Sequence, residues 1–157
     1  MRNFYIFLDY DGVMWSFDLL KKEGITSLIN ALINYNASKD NIRALNCLIE
    51  KLKKDYNPVI VLTSERRRSV KKIKESLVAG GLVDCEFDTT NLKRFQSKGN
   101  LVKIYLENLQ ETENFLLIDD FISSYKSFDK NKIIKTSLFK GGLTLNKVDK
   151  YLNTNEI

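Results

Sequence analysis

The sequence predicts an α/β fold, a parallel sheet covered by helices on both sides, and three observations carry that expectation. Short apolar runs alternate along the chain with segments whose apolar residues recur at helical spacing. The short runs are apolar at successive positions, as strands buried on both faces are. At 157 residues and 43% apolar content the chain suits one hydrophobic core, so a single domain over 1–157 is expected.

The first strand is the run Asn3-Phe4-Tyr5-Ile6-Phe7-Leu8, which ends in Asp9-Tyr10-Asp11-Gly12. Leu28, Ile29, Leu32 and Ile33 then predict an amphipathic helix over 26–35, and Ile42, Leu45, Leu48, Ile49 and Leu52 another over 40–54. Asn57-Pro58 punctuates the end of the second helix, and 59–62 follows as a buried strand ending in Thr63-Ser64. Val70, Ile73, Leu77 and Val78 mark a helix over 69–79, closed by Gly80-Gly81. A weaker strand at 85–87 precedes a helix capped by Ser97 and running towards Leu109. The strand at 115–118 enters Asp119-Asp120, a last strand is expected at 133–136, and a turn at Gly141-Gly142 leads into a helix over 146–152. The result is a Rossmann-like three-layer α/β/α sandwich with about five strands. Ligands of such folds bind outside the carboxyl ends of the strands, where Asp9, Thr63 and Asp119 all fall.

Composition narrows the chemistry. The chain has no histidine, which removes the serine triad, the cysteine–histidine dyad and every histidine-containing zinc site, so acid and base work falls to carboxylates or lysines. Twenty-five basic against twenty acidic residues give a net charge of +5, a sign that suits phosphate-bearing ligands. Cys47 and Cys85 sit among apolar neighbours without metal-ligand spacing and are expected to be buried, reduced thiols. No stretch approaches the roughly 18–20 apolar residues of a membrane span, and strand-like sequence begins too early for a signal peptide; a cytoplasmic protein is expected. There is no internal repeat, low-complexity tract or proline-rich linker.

The acids carry the strongest functional signal. Carboxylates crowded at the ends of buried strands repel one another, and a hard divalent cation such as Mg²⁺ offsets that repulsion. A calcium-binding EF-hand loop starting at Asp9 would need a polar ligand, a glycine and a glutamate where the chain has Val13, Met14 and Leu20. Neither a Walker phosphate loop nor a dinucleotide glycine fingerprint is present. What remains is an ordered set: Asp9 with Asp11, then Thr63-Ser64, then Lys98 at a helix start, then Asp119-Asp120.

In that order the chain resembles the haloacid dehalogenase (HAD) superfamily of phosphotransferases, over about residues 4–120. The resemblance implies a Mg²⁺-dependent phosphomonoester hydrolase. Asp9 matches the nucleophile that forms an aspartyl-phosphate, and Asp11 the acid and base that protonates the leaving oxygen and then activates water. It further implies metal binding by Asp9, Asp11 through its backbone carbonyl, Asp119 and Asp120, and stabilisation of the transferring group by Lys98 and a hydroxyl. Thr63 is favoured over Ser64 for that hydroxyl because it directly follows the apolar run. Lys98 is preferred to Lys93, Arg94 and Lys103 because a helix start also favours an anion. Capping or turn roles are the plainer alternatives for each acid, and a loop role for Ser123 and Ser124.

The region 14–57 holds too little sequence for more than a rudimentary cap, which implies an open site and with it either a macromolecular substrate end or closure by a neighbouring subunit. The basic run from Arg66 to Lys74, beginning just after Thr63-Ser64, is either a solvated helix face or a groove for an extended phosphate ligand, with Arg66 as its first candidate contact. Tyr10, Trp15 and Phe17 either stack on a base or pack beneath the loop that carries Asp11. A nucleic-acid end or nucleotide phosphate is the first substrate expectation. The rival is a catalytically weak binding module of the same fold, holding nucleic acid or a protein partner.

Overall fold

The computed structural model describes residues 1–24, 37–64, 70–90, 96–110 and 113–157. The elements are β1 (Arg2–Leu8), α1 (Phe17–Lys22), α2 (Lys39–Leu52), β2 (Tyr56–Leu62), α3 (Val70–Ala79), β3 (Glu86–Thr89), α4 (Lys98–Leu109), β4 (Phe115–Asp119), β5 (Ile133–Lys135) and α5 (Leu145–Asn155). Two 3₁₀ turns, Ile122–Tyr125 and Lys130–Lys132, join β4 to β5. The five strands form one all-parallel sheet in the order β3-β2-β1-β4-β5. This is the predicted α/β architecture.

Strand alternation assigns each side chain its layer. Phe4, Ile6 and Leu8 of β1, Ile60 and Leu62 of β2, and Leu116 and Ile118 of β4 share one core with α2, α3 and α5. Tyr5, Phe7, Val59, Val61, Phe115 and Leu117 point to the other, where Val102 and Leu106 of α4 and Tyr125 cover them. Both faces are therefore buried, which explains the unbroken apolar runs.

Several boundaries differ from the sequence expectation. β2 starts at Tyr56 and contains Pro58, read above as a break; β3 joins β2 only at Val59, so one side of Pro58 has no ladder for its missing N–H to interrupt. α1 was not expected, and the helix predicted over 26–35 lies outside the described residues. α3 closes as predicted at Gly80-Gly81: the Leu82 N–H returns to the Leu77 carbonyl at 2.9 Å and the Gly81 N–H to Val78 at 3.0 Å. Ser97 caps α4 by accepting from the Asn100 N–H at 3.2 Å. Cys47 and Cys85 are free thiols but only half-buried, because each sits at the rim of the main core. Among the described residues no helix is long and apolar enough to cross a membrane.

Candidate active site

The sheet's ladder continues one residue past the strand ends and fixes the residues that matter. The Asp9 N–H donates to the Ile118 carbonyl, the Thr63 N–H to Leu8 and the Thr136 N–H to Asp119, each at 3.0 Å. Asp9, Thr63 and Asp119 therefore sit side by side on the carboxyl edge of the central strands, all buried.

Lys98, on the first turn of α4, reaches this edge from the second core's side. Its Nζ lies 3.0 Å from Asp9 Oδ2 and 3.1 Å from Asp119 Oδ2. The other partners of Asp119 complete its coordination: the Phe121 N–H donates to Oδ1 at 2.9 Å and the Tyr125 hydroxyl to Oδ2 at 2.9 Å. Carboxylate oxygens of Asp9, Asp119 and Asp120 come within 4.8 Å of one another. Burial and the Asp119 charge push the Asp9 carboxyl up to about 7, even with Lys98 pulling it down. Burial, then Asp119, likewise raises Asp120. Burial opposes the charge of Lys98, but the two carboxylates overcome it and hold its ammonium above the usual lysine range.

Asp11 is placed differently. Its Oδ1 accepts the indole N–H of Trp15 at 2.8 Å, and the loop between them turns through Gly12 at φ +73°. A Cβ on Gly12 would come within 2.6 Å of the Asp120 carboxyl group, so only glycine lets this loop close down on the acidic edge. Trp15 and Tyr10 are buried, which assigns them to packing under the loop; Phe17 keeps more than a third of its surface and stacks at 5.6 Å on the exposed Phe139.

A family model for the HAD domain in Swiss Army Knife RNA repair proteins matches residues 5–148. The chain belongs to this family. No curated protein and no solved structure matches it.

In this HAD domain Asp9, Thr63, Lys98, Asp119 and Asp120 meet at one edge, as the order of the motifs implies. Asp11 is not among the three converging carboxylates; its Oδ1 accepts the Trp15 indole N–H. Three converging carboxylates, two of them buried, with burial and then Asp119 raising the Asp9 carboxyl, suit a hard, oxygen-liganded cation that would offset their repulsion. Ser64 is buried beside Thr63. Arg66 and the rest of 65–69 lie outside the described residues. Of the remaining basic run, Lys71 and Lys72 are exposed on α3, Lys71 pairs with Glu75 at 4.0 Å, and Lys74 lies over the Phe87 ring, which is the pattern of a solvated face. Tyr125 is the functional neighbour that sequence reasoning missed. It sits six residues past Asp119 on a 3₁₀ turn, and no motif announces it. Ser123 and Ser124 belong to that same turn. Among the described residues, α1 is the only element between β1 and α2, and no substantial cap is present among them.

Proposed function

We propose that the protein is a Mg²⁺-dependent phosphomonoester hydrolase working through an aspartyl-phosphate on Asp9, with a nucleic-acid end or nucleotide phosphate as substrate. The observation that carries this reading is the seat of the two loop acids: Asp9 is buried 3.0 Å from the Lys98 ammonium, while Asp11, two residues on, accepts the Trp15 indole N–H. Burial and Asp119 raise the Asp9 carboxyl to about 7 in the metal-free fold, and a bound cation beside Lys98 would draw it back to the carboxylate that attack requires. A nucleophile must be ionised while its acid partner holds a proton, and two distinct environments allow that.

In the first step an Asp9 oxygen forms a bond to phosphorus as the bond from phosphorus to the leaving oxygen breaks, and Asp11 gives that oxygen a proton. In the second, Asp11 takes a proton from water as the water oxygen attacks phosphorus, releasing inorganic phosphate and restoring the Asp9 carboxylate. Lys98 places positive charge beside the nucleophile, and Thr63 or Ser64 is positioned to hold a phosphoryl oxygen. Asp9, Asp119 and Asp120 would hold Mg²⁺, which supplies the charge that lowers repulsion between nucleophile and phosphoryl group. The family's occurrence in RNA repair proteins, the absence of a substantial cap among the described residues and the net charge of +5 support a polynucleotide end.

The test is phosphate release from an aryl phosphate, sugar phosphates, nucleotides and 3′- or 5′-phosphorylated oligonucleotides, with Mg²⁺ and with chelator, for the parent and Asp9→Asn. Release that needs Mg²⁺, favours the oligonucleotides and disappears in Asp9→Asn is the expected result. No release from any substrate by folded, Mg²⁺-binding protein would sink the hydrolase and return the case to a binding module.

A further inference from the structure

We propose that a lysine-lined groove between β5 and α5 holds the phosphodiester backbone of a single-stranded nucleic acid. The groove is a cavity of about 400 Å³ bordered by Lys130, Lys135, Lys147 and Lys150, and no aspartate or glutamate borders it. None of Lys130, Lys135 and Lys150 forms an ion pair among the described residues, and all three are exposed. Four like charges around one concavity repel each other, and an anion laid between them relieves that repulsion. Lys147 is the most enclosed: its Nζ donates to the Gly142 carbonyl at 2.7 Å, and burial draws its ammonium below the usual lysine range although the charge of Asp18 opposes this, so the three exposed lysines carry the proposal.

The shape of the groove points to an extended polyanion. Lys147 and Lys150, three residues apart, share one face of α5. Lys130 opens the 3₁₀ turn that precedes β5 and Lys135 ends the strand, whose residues 133–135 alone span roughly 7 Å, so the two ammonium groups border opposite ends of the groove. Among the described residues β5 is an edge strand that pairs only with β4.

Its position selects nucleic acid over an acidic peptide. Lys135 stands opposite Asp119 in the β4–β5 register, so the groove starts beside the acidic edge and runs from there towards Lys130, before β5 begins. A strand whose phosphorylated end lies at Asp9 could lead its backbone along this path; in that direction of run the inference rests on the proposed phosphomonoesterase.

Binding can be read apart from turnover. Anisotropy of a labelled single-stranded RNA without a terminal phosphate, titrated between 50 and 200 mM salt, is compared for the parent and K130Q/K135Q/K150Q. Each lost phosphate contact should lower the slope of log Kd against log salt by about 0.7, so the triple variant is expected to lose about 2 from the slope, with weaker binding throughout. Its phosphate release from a small aryl phosphate should equal the parent's. Unchanged slope and affinity would overturn the groove, as would a matched loss of binding to polyglutamate and to RNA, which would assign the lysines to acidic proteins. A parent that releases no phosphate while the variant still loses RNA would leave the groove standing and remove the hydrolase.

Discussion

Asp119 shows how much of the site is orientation. Its two oxygens are claimed by a lysine, a backbone N–H and a phenol, so the carboxylate cannot turn away from Asp9. Tyr125 donates to Asp119 and so positions it. Partners of this kind set the affinity of a carboxylate for metal, and losing one costs roughly 10–100-fold. Tyr125→Phe is accordingly expected to raise the Mg²⁺ concentration for half-maximal phosphate release by about tenfold. Saturating Mg²⁺ should restore most of kcat. A kcat loss that Mg²⁺ does not rescue would show that the phenol acts on the reaction itself. The contrast with Asp9, Thr63 and Asp119 explains what could be read in advance: each of those ends an apolar run, so hydrophobic pattern alone puts it at the carboxyl edge. Tyr125 depends on a turn that folds back, whereas the place of Lys98 beside Asp9 and Asp119 follows from a helix start that is visible in the sequence.

At the scale of elements, α4 and the 3₁₀ turn at Ile122–Tyr125 behave as one piece. Gly99 is buried against that turn, and a Cβ there would overlap the Ser124 carbonyl. Helix propensity favours alanine over glycine by about 1 kcal/mol, but the overlap forces the helix off the turn, which costs about 1–3 kcal/mol. Gly99→Ala is therefore expected to lower the urea midpoint and to weaken turnover as well, since Lys98 and Tyr125 would separate from Asp119 together. A stabilised variant with parental activity would show that the two elements are not coupled. The same close approach is illegible in sequence, where Gly99 reads as a weak spot in a helix. α1 escaped notice for a related reason: its six residues expose most of their surface, leaving too little apolar pattern to mark a helix. The long helices and the three central strands were legible because their burial repeats over several turns or positions.

For the molecule as a whole, the acidic edge is a cost in folding free energy. The Asp9 carboxyl, ordinarily near 4, rises to about 7 in the fold, so between those values the folded chain holds a proton that the unfolded chain has released. Stability of the metal-free protein should fall as pH rises across that window and level off above it. Asp9→Asn cannot ionise and escapes the penalty, so in chelator at pH 8 it should be more stable than the parent by on the order of 1–4 kcal/mol, with the gap closing below pH 4. Thermal melts across pH check this. Equal melting temperatures at pH 8 would mean that Lys98 already neutralises Asp9 fully. Mg²⁺ should narrow the gap from the parent's side, because binding to the folded form alone stabilises it.

The strand order sets a timetable as well as a shape. β1 lies at the centre of the sheet, with β2 on one side and β4 on the other, and Tyr5 does not meet its partner Phe115 until 110 further residues have been made. At about 5–20 residues per second, synthesis leaves one flank of the central strand uncovered for on the order of 5–20 s. Parallel pairing at such separation is also slow to form. A ribosome-bound chain stopped before β4 thus presents an unpaired central strand, the kind of surface that chaperones hold and that aggregates in their absence.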